Sequence, residues 1–364
     1  MRSLAAVAGI GFSMIFIYLQ LGLLGASLYT ATSITSHLRA DLVLVSPRFV
    51  HLASAGTISR GRLYQVLGDP EITDAMPLYV RMARWRAVGT RRRCNLMAIG
   101  ARMGGTSPVT FKGIQEEEWD GLLLTQTMLV DQATHPKCGT LALGEHPEVR
   151  EKRVRIEGDY RLGVGFMGDG SLLVNDQTFS QLFGNHPLDQ PQMGLIRVAR
   201  GANPREVRDR LRSLLPGDVR IITAGELNQL QIRHWIVKTS LGIIFSIGTF
   251  VGFIIGLAIL YQTLSTDILQ QLPQYATLKS MGYPETALNG MVLRQSLIFG
   301  FLGLAPATLI SLVMYWALRV ATNLPIGMTT IRLALVISLA GGMCAFSGVL
   351  ATRKLTLADP ADLY

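Results

Sequence analysis

Charged residues are scarce in this sequence, and their scarcity narrows the class of protein. Asp, Glu, Lys and Arg together make up 16% of the 364 residues, whereas 49% of the chain is hydrophobic. Ordinary soluble domains contain about 25% charged residues. The shortage excludes a wholly soluble chain and indicates membrane spans. The net charge of +9 then favours contact with membrane lipid over nucleic acid.

Signatures of catalytic and metal chemistry are also missing. No phosphate-loop motif occurs, and the Gly-rich stretch at residues 163–170 has no Lys-Ser/Thr after it, so it is predicted to be a turn between strands. His135, Cys138 and His146 match no zinc-site spacing, and no Ser/His/Asp set is evident. Glu116 to Glu118 is predicted to be a solvated turn. The sequence therefore predicts no enzyme, no bound metal and no cofactor of its own.

Long runs without charge are the main feature that is present. Between Arg2 and His37 the only ionisable side chains are Tyr18 and Tyr29, which exceeds the ~20 residues needed to span a bilayer. A cleaved signal peptide is the alternative, although its apolar core would be only about 7–15 residues long. Residues 1–36 are predicted to be transmembrane helix 1 and a stalk.

The second span is expected at residues 226–266, again with a stalk. It carries Gly248, Gly252 and Gly256, two overlapping G-x-x-x-G steps. Such steps favour close helix packing in lipid, within or between chains. The alternative is that glycine is simply common in membrane helices.

Two further spans follow, at residues 285–318, with a kink expected at Pro306, and at residues 333–352. A short loop at 319–332 separates them, and a tail at 353–364 closes the chain. Four spans place both termini on one side, together with the loop at 267–284. Basic residues near the span ends fall mostly on that side, so the positive-inside rule predicts that it is cytoplasmic.

Residues 37–225 are predicted to be a large α+β periplasmic domain inserted between the first two spans. A strand at 194–199, a helix capped by Asn203 and Pro204, and a strand at 219–222 form a β–α–β unit. Cys94 and Cys138 lie in this domain, where oxidising conditions permit a disulfide. The alternative is a pair of buried thiols.

The same domain contains a basic run. Arg81, Arg84, Trp85, Arg86 and residues 91–93 supply six arginines and one aromatic side chain. On the outer side of a membrane, this pattern favours a solvated strand face, or a contact with anionic lipid or an acidic partner, over a nucleic-acid site.

The loop at 267–284 contains a short helix predicted from Gln274 to Met281. Pro273 suits the start of a helix, Gly282 suits a left-handed end, and Pro284 cannot continue it. Leu272, Tyr275, Leu278 and Met281 recur at near-helical spacing and give one apolar face. The segment is either a docking helix or a plain amphipathic loop at the membrane surface.

The run Tyr275-Ala-Thr-Leu-Lys-Ser-Met-Gly282 is similar to the coupling helix of the FtsX/MacB superfamily of ABC-transporter permeases. In that family the helix sits in a groove of the ATPase subunit. The resemblance implies that the ATPase-coupling residues are Leu272, Pro273, Tyr275, Ala276, Thr277, Leu278, Lys279, Met281, Gly282 and Tyr283.

Within the superfamily the chain resembles the DevC-type permeases. The closer match lies in residues 4–12 with 19–22, in residues 40–47 and in residues 272–283. It covers both ends and the membrane core, whereas the middle of the external domain matches only in size and character.

This resemblance implies a homodimeric, multi-pass permease of the bacterial inner membrane. Its partners would be a separate cytoplasmic ABC ATPase that binds ATP and Mg, a periplasmic membrane-fusion protein and a TolC-like outer-membrane channel. The function would be mechanical relay of ATP hydrolysis to export a glycolipid or another envelope substrate. A lipoprotein-extracting permease and an FtsX-like regulator of a cell-wall hydrolase are the alternatives.

Overall fold

The computed structural model describes residues 2–52, 54–89, 92–103, 109–111, 113–114, 116–163, 165–322 and 324–356. The chain divides into two compact units. The helical unit comprises Met1–Gly25, Ser240–Ala321 and Ile326–Tyr364, and the sheet unit comprises Ala26–Thr239 and Thr322–Pro325. Arg91 and the tail at 357–364 lie outside the described residues.

The α-helices of the described chain fall into two groups, short ones and long apolar ones. Four are long and apolar enough to cross a membrane: residues 7–32, 240–270, 286–322 and 330–352. This confirms the four predicted apolar helices. In chain order the helices are α1 (Arg2–Thr32), α2 (Gly61–Val66), α3 (Glu116–Gly121), α4 (Asp176–Leu182), α5 (Pro204–Leu214), α6 (Ala224–Val237), α7 (Ser240–Gln270), α8 (Leu272–Ser280), α9 (Glu285–Thr322) and α10 (Thr330–Thr356).

The sheet unit is built on a single mixed sheet, which confirms its α+β class. The central path runs β10-β1-β9-β2-β3-β8-β4-β7, and the small β5–β6 hairpin pairs with β2. The strands are β1 (Leu42–Val45), β2 (Ile72–Arg86), β3 (Cys94–Ala101), β4 (Thr127–Asp131), β5 (Glu148–Val149), β6 (Lys152–Arg153), β7 (Arg155–Tyr160), β8 (Gly170–Asn175), β9 (Met193–Val198) and β10 (Arg220–Thr223).

Both faces of the sheet are buried. Successive side chains of a strand point to opposite faces, and all four residues of β1 are buried. Val43 and Val45 belong to one hydrophobic cluster, whereas Leu42 and Leu44 belong to another on the opposite face. The strand therefore reads as a continuous apolar run, as expected where both faces are covered.

The predicted β–α–β unit is present as β9, α5 and β10. Both strands pair antiparallel with β1, one on each side, so they run parallel to each other with β1 between them. The Asn203 side chain accepts a hydrogen bond from Arg205 N, and Pro204 opens the helix. These are the start signals that identified α5 in the sequence.

Two expectations differ from the structure. Glu116 to Glu118 begins helix α3 and is not a turn. Helix α9 runs to Thr322, beyond the expected end at Leu318. Pro306 lies inside α9, and the kink expected there stays a prediction.

Candidate functional site

Helix α8 lies in the helical unit between α7 and α9. It has nine residues, with Pro273 second. Its end is fixed by Gly282, whose φ is +88°, and by a hydrogen bond from Tyr283 N to Leu278 O of 3.2 Å. A left-handed glycine with this six-to-one bond is the Schellman stop. Pro284 follows and Ala287 N bonds to its carbonyl oxygen, so α9 starts directly after the turn.

The side chains of α8 face in two directions. Tyr275 is 8% exposed, while Leu272 and Leu278 are half-buried. Met281 and Tyr283, at the end of the helix, are 70% and 47% exposed. The expected apolar face is therefore divided, because Tyr275 turns toward the protein. The side chains of Ala276 and Lys279 lie outside the described part of the structure.

The inward face of α8 lies beside Asp267 of α7. Burial, and secondarily the charge of Asp267, raises the pKa of the Tyr275 hydroxyl. At the junction of α7 and α8, Tyr275 N donates to Gln271 O over 3.1 Å. Gln295 Nε2 of α9 donates to Asp267 Oδ2 of α7 over 3.0 Å, so α7 and α9 are bonded to each other next to α8.

The glycine ridge, defined as Gly248, Gly252 and Gly256, packs on α1 within the chain. A Cβ at Gly252 would lie 2.9 Å from Ile17 Cγ1, and one at Gly256 would lie 2.4 Å from Ser13 Oγ. At Gly248 the nearest atom would be Gln20 Cδ, at 2.5 Å. A side chain at Gly252 or Gly256 would therefore displace atoms of α1, whereas at Gly248 only the flexible end of Gln20 would have to move.

Residues on α1 complete this seam. A Cβ at Gly9 would lie 3.0 Å from Ile259 Cγ2. Along the seam, residue numbers on α1 therefore decrease as those on α7 increase. The two helices therefore run antiparallel along the seam. Gly9 and Ser13 are small residues four apart on α1, a spacing that favours close helix packing in lipid, whereas the sequence gives no such signal for Gln20.

Hydrogen bonds from side chains to backbone carbonyls bind the other long helices. Ser347 Oγ of α10 donates to Leu257 O of α7 over 3.0 Å, and Ser296 Oγ of α9 donates to Cys344 O of α10 over 2.8 Å. Lipid offers little hydrophobic driving force for helix association. Hydrogen bonds of this kind and close packing therefore stabilise the contacts between the helices.

Cys94 and Cys138 are joined by a disulfide in the sheet unit. Asp169 lies near both sulfurs, but the sulfurs bond to each other and offer no thiolate to a metal. His135 caps the 3₁₀ turn Pro136–Cys138 by accepting from Lys137 N. These residues therefore form a cross-linked turn.

A comparison with protein families matches the C-terminal part of the chain, which contains the last three apolar helices. Residues 244–360 match the family described as FtsX-like permease C-terminal. Over these residues the chain is similar to the C-terminal domain of FtsX-like permeases, and the resemblance inferred from residues 275–282 is confirmed at that level. A comparison of the sequence with curated proteins gave no match.

Solved structures of transporter domains are similar to about half of the chain. The extracellular domain of the noncanonic ABC-type transporter YknZ from Gram-positive bacteria matches with a TM-score of 0.34 and 9% identity, covering 46% of this chain and 90% of that chain. The periplasmic region of MacB from Actinobacillus actinomycetemcomitans matches with a TM-score of 0.36 and 12% identity, covering 54% and 93%. Both TM-scores are below 0.5, and neither similarity defines the function of this chain.

Proposed function

We propose that this chain is the permease subunit of a DevC-like ABC exporter in the bacterial inner membrane. A separate cytoplasmic ATPase binds ATP and Mg and docks on α8. The observation that carries the proposal is the capped α8 helix within the FtsX-like domain at residues 244–360. The chain works as a homodimer with a membrane-fusion protein and a TolC-like channel, and the cargo is a glycolipid or another envelope substrate.

The geometry of α8 supports a mechanical relay. The Schellman stop at Gly282 leads α8 directly into α9, and Tyr275 N bonds to Gln271 O at its junction with α7. The bond between Gln295 and Asp267 joins α9 to α7 beside it. A displacement of α8 by the closing ATPase is then passed to α7, and from the glycine ridge to α1. No step requires the cargo to pass through the helical unit.

The closed α1–α7 seam favours export over lipoprotein extraction. A lipid entering between the first two spans would need room at Gly248, Gly252 and Gly256, where even a Cβ atom would meet α1 closer than 3.0 Å. Mass analysis of the purified chain tests this alternative, because lipid held at that seam would favour extraction. Recovery of a cell-wall hydrolase in place of a fusion protein would favour the regulator.

The docking role is tested by Met281→Asp. Met281 is 70% exposed, so the variant should fold, yet its charge would enter a contact that excludes water. An unpaired buried charge costs several kcal/mol, and ~1.4 kcal/mol is tenfold in affinity. We expect at least a tenfold loss of ATPase in a pull-down, with unchanged membrane abundance.

The matched control is Gln274→Asp, which adds the same charge to an exposed, already polar position of α8. It should retain most of the ATPase. If Met281→Asp holds the ATPase as well as wild type does, α8 is not the coupling helix and the proposed function fails with it.

A further inference from the structure

A basic pocket lies in the sheet unit at the end of β2, on residues that ATPase coupling does not use. Its volume is about 230 Å³. Four arginines and two glutamates line it, namely Arg84, Arg86, Arg93, Arg150, Glu148 and Glu151. Arg84 and Arg86 are exposed on strand β2, as the predicted solvated strand face requires, and together with Arg93 they line this pocket.

The floor of the pocket is rigid. Trp85 is 1% exposed, and its Nε1 donates to Cys138 O over 3.0 Å. Cys94 stands opposite Trp85 in the β2–β3 register and forms the disulfide with Cys138. The cross-link and the indole hydrogen bond therefore hold β2 at the point where Arg84 and Arg86 project.

The rim of the pocket is a tight hairpin turn between β5 and β6. Its two central residues, Arg150 and Glu151, have φ values of 48° and 68°. Two-residue hairpins of this kind favour Asn-Gly. The positive φ values of Arg150 and Glu151 are unfavourable for long side chains, so the surrounding structure must stabilise this conformation. Arg150 N bonds to Arg84 O over 2.8 Å and supplies that support.

The Arg150 guanidinium is held in place before any ligand arrives. It lies 4.7 Å from the centre of the Phe183 ring, within the range of a cation–π contact. This contact restrains the guanidinium beside the ring, and the planar fork of N–H donors that every arginine carries suits two parallel bonds to one oxyanion.

The charges of the pocket are not balanced within the chain. Arg86 is paired with Glu148. Among the described residues Arg84, Arg93 and Arg150 have no carboxylate partner, and Glu151 has no cationic partner. With four arginines against two glutamates, the lining carries a formal charge of +2, and such an excess of one sign raises the local concentration of anions.

We propose that this pocket binds a phosphate ester that carries neighbouring hydroxyl groups. The unpaired guanidinium groups hold the phosphate through charge-assisted, bidentate hydrogen bonds. The Glu151 carboxylate accepts hydrogen bonds from the hydroxyls, as it can only accept. The ligand is either the headgroup of an anionic glycerophospholipid or a soluble sugar or glycerol phosphate, and the site stands independently of the ATPase-coupling role.

The test is calorimetric titration of the full-length chain in detergent. The probes are glycerol 1-phosphate, the short-chain lipid dihexanoyl phosphatidylglycerol, and dihexanoyl phosphatidylcholine as the zwitterionic control. Arg150→Gln should weaken binding of the anionic probes at least tenfold, and Arg93→Gln is a second variant that leaves the hairpin untouched. The matched control is Arg81→Gln, because Arg81 lies over the same Phe183 ring at 5.5 Å but does not line the pocket.

Each outcome is decisive. Saturable binding of glycerol 1-phosphate that Arg150→Gln weakens at least tenfold and Arg81→Gln preserves supports a soluble ester. The same pattern with phosphatidylglycerol alone supports a lipid headgroup. Glu151→Gln should remove the preference for glycerol 1-phosphate over inorganic phosphate. Equal loss in Arg81→Gln and Arg150→Gln, equal competition by a poly-glutamate peptide, or no saturable binding of either anionic probe would overturn the proposal.

Discussion

At the scale of single residues, two histidines make the sheet unit sensitive to pH. The rings of His51 and His234 lie 4.6 Å apart, tilted by 30°, and both side chains are half-buried. Burial, and then the repulsion of a charge on His234, lowers the pKa of His51 below its ordinary value of 6.5. The folded chain therefore prefers a neutral His51.

The sign of the effect follows from this direction. As pH falls through about 6.5, the unfolded chain takes up a proton at His51 while the folded chain resists it, so the free energy of unfolding decreases. Above this pH both states are neutral and the contribution is constant. We expect the melting temperature of the full-length chain in detergent to fall between pH 7.5 and 5.5, and to fall less in His51→Gln.

The control is His146→Gln, which removes an exposed histidine from the same unit. It should keep the wild-type slope of melting temperature against pH. A wild-type slope in His51→Gln as well would show that the ring pair does not determine the pH response.

At this scale the backbone conformation could be predicted from the sequence, whereas the direction of side chains could not. Gly282 and Pro284 indicate the end of α8 because few other residues adopt a positive φ or forbid a helix. Tyr275 is directed toward α7 and lies near Asp267. These belong to a different helix, so the spacing of residues within α8 does not show this direction. Spacing within α8 alone shows an apolar stripe but not which protein covers it.

At the scale of elements, the glycine ridge decides how closely α7 approaches α1. Gly252→Leu would place a Cβ 3.0 Å from Phe16 Cδ1 and 2.9 Å from Ile17 Cγ1, with three more carbons beyond it. Overpacking of this kind costs about 1–3 kcal/mol. We expect a lower melting temperature in detergent and a weaker relay to α1, measured as a lower yield of exported cargo per ATP hydrolysed.

Val251→Leu is the matched control, since Val251 is 42% exposed on the adjoining face of α7 and gains one methylene there. It should behave as wild type. Wild-type stability and export in Gly252→Leu would mean that the seam opens readily and that the ridge has no packing role.

Elements with strong local signals were predictable, and those defined by distant partners were not. The Asn203-Pro204 start identified α5, and the strands predicted at residues 194–199 and 219–222 correspond to β9 and β10. The β5–β6 hairpin has only two residues in each strand, too few for a periodic pattern. Its position depends on pairing with β2 and on Arg84, a long-range contact that spacing cannot show.

At the scale of the whole molecule, the four apolar helices predict which parts of the chain face the cytoplasm. An even number of spans places Arg2 and α8 on the same side. Short basic segments near the span ends, with Arg294 among them, place that side in the cytoplasm by the positive-inside rule. The sheet unit, longer than the loops to which that rule applies, would then be outside.

This orientation is tested by labelling spheroplasts with a membrane-impermeant maleimide. The wild-type chain should give no signal, because Cys94 and Cys138 are bonded and Cys344 is buried. Tyr64→Cys, at a position 60% exposed in the sheet unit, should be labelled in intact spheroplasts. Met281→Cys, at a position 70% exposed beside α8, should be labelled only after the membrane is permeabilised.

A thiol count validates the background of that experiment. Unfolded without reductant, the wild-type chain should react only at Cys344, whereas reduction should add Cys94 and Cys138. Reaction at all three cysteines before reduction would show that the disulfide is absent, and the floor of the pocket at Trp85 would then lack its cross-link. Labelling of Met281→Cys from outside would place α8 beyond reach of any cytoplasmic ATPase, and the coupling role would be lost whatever the fold of the helix.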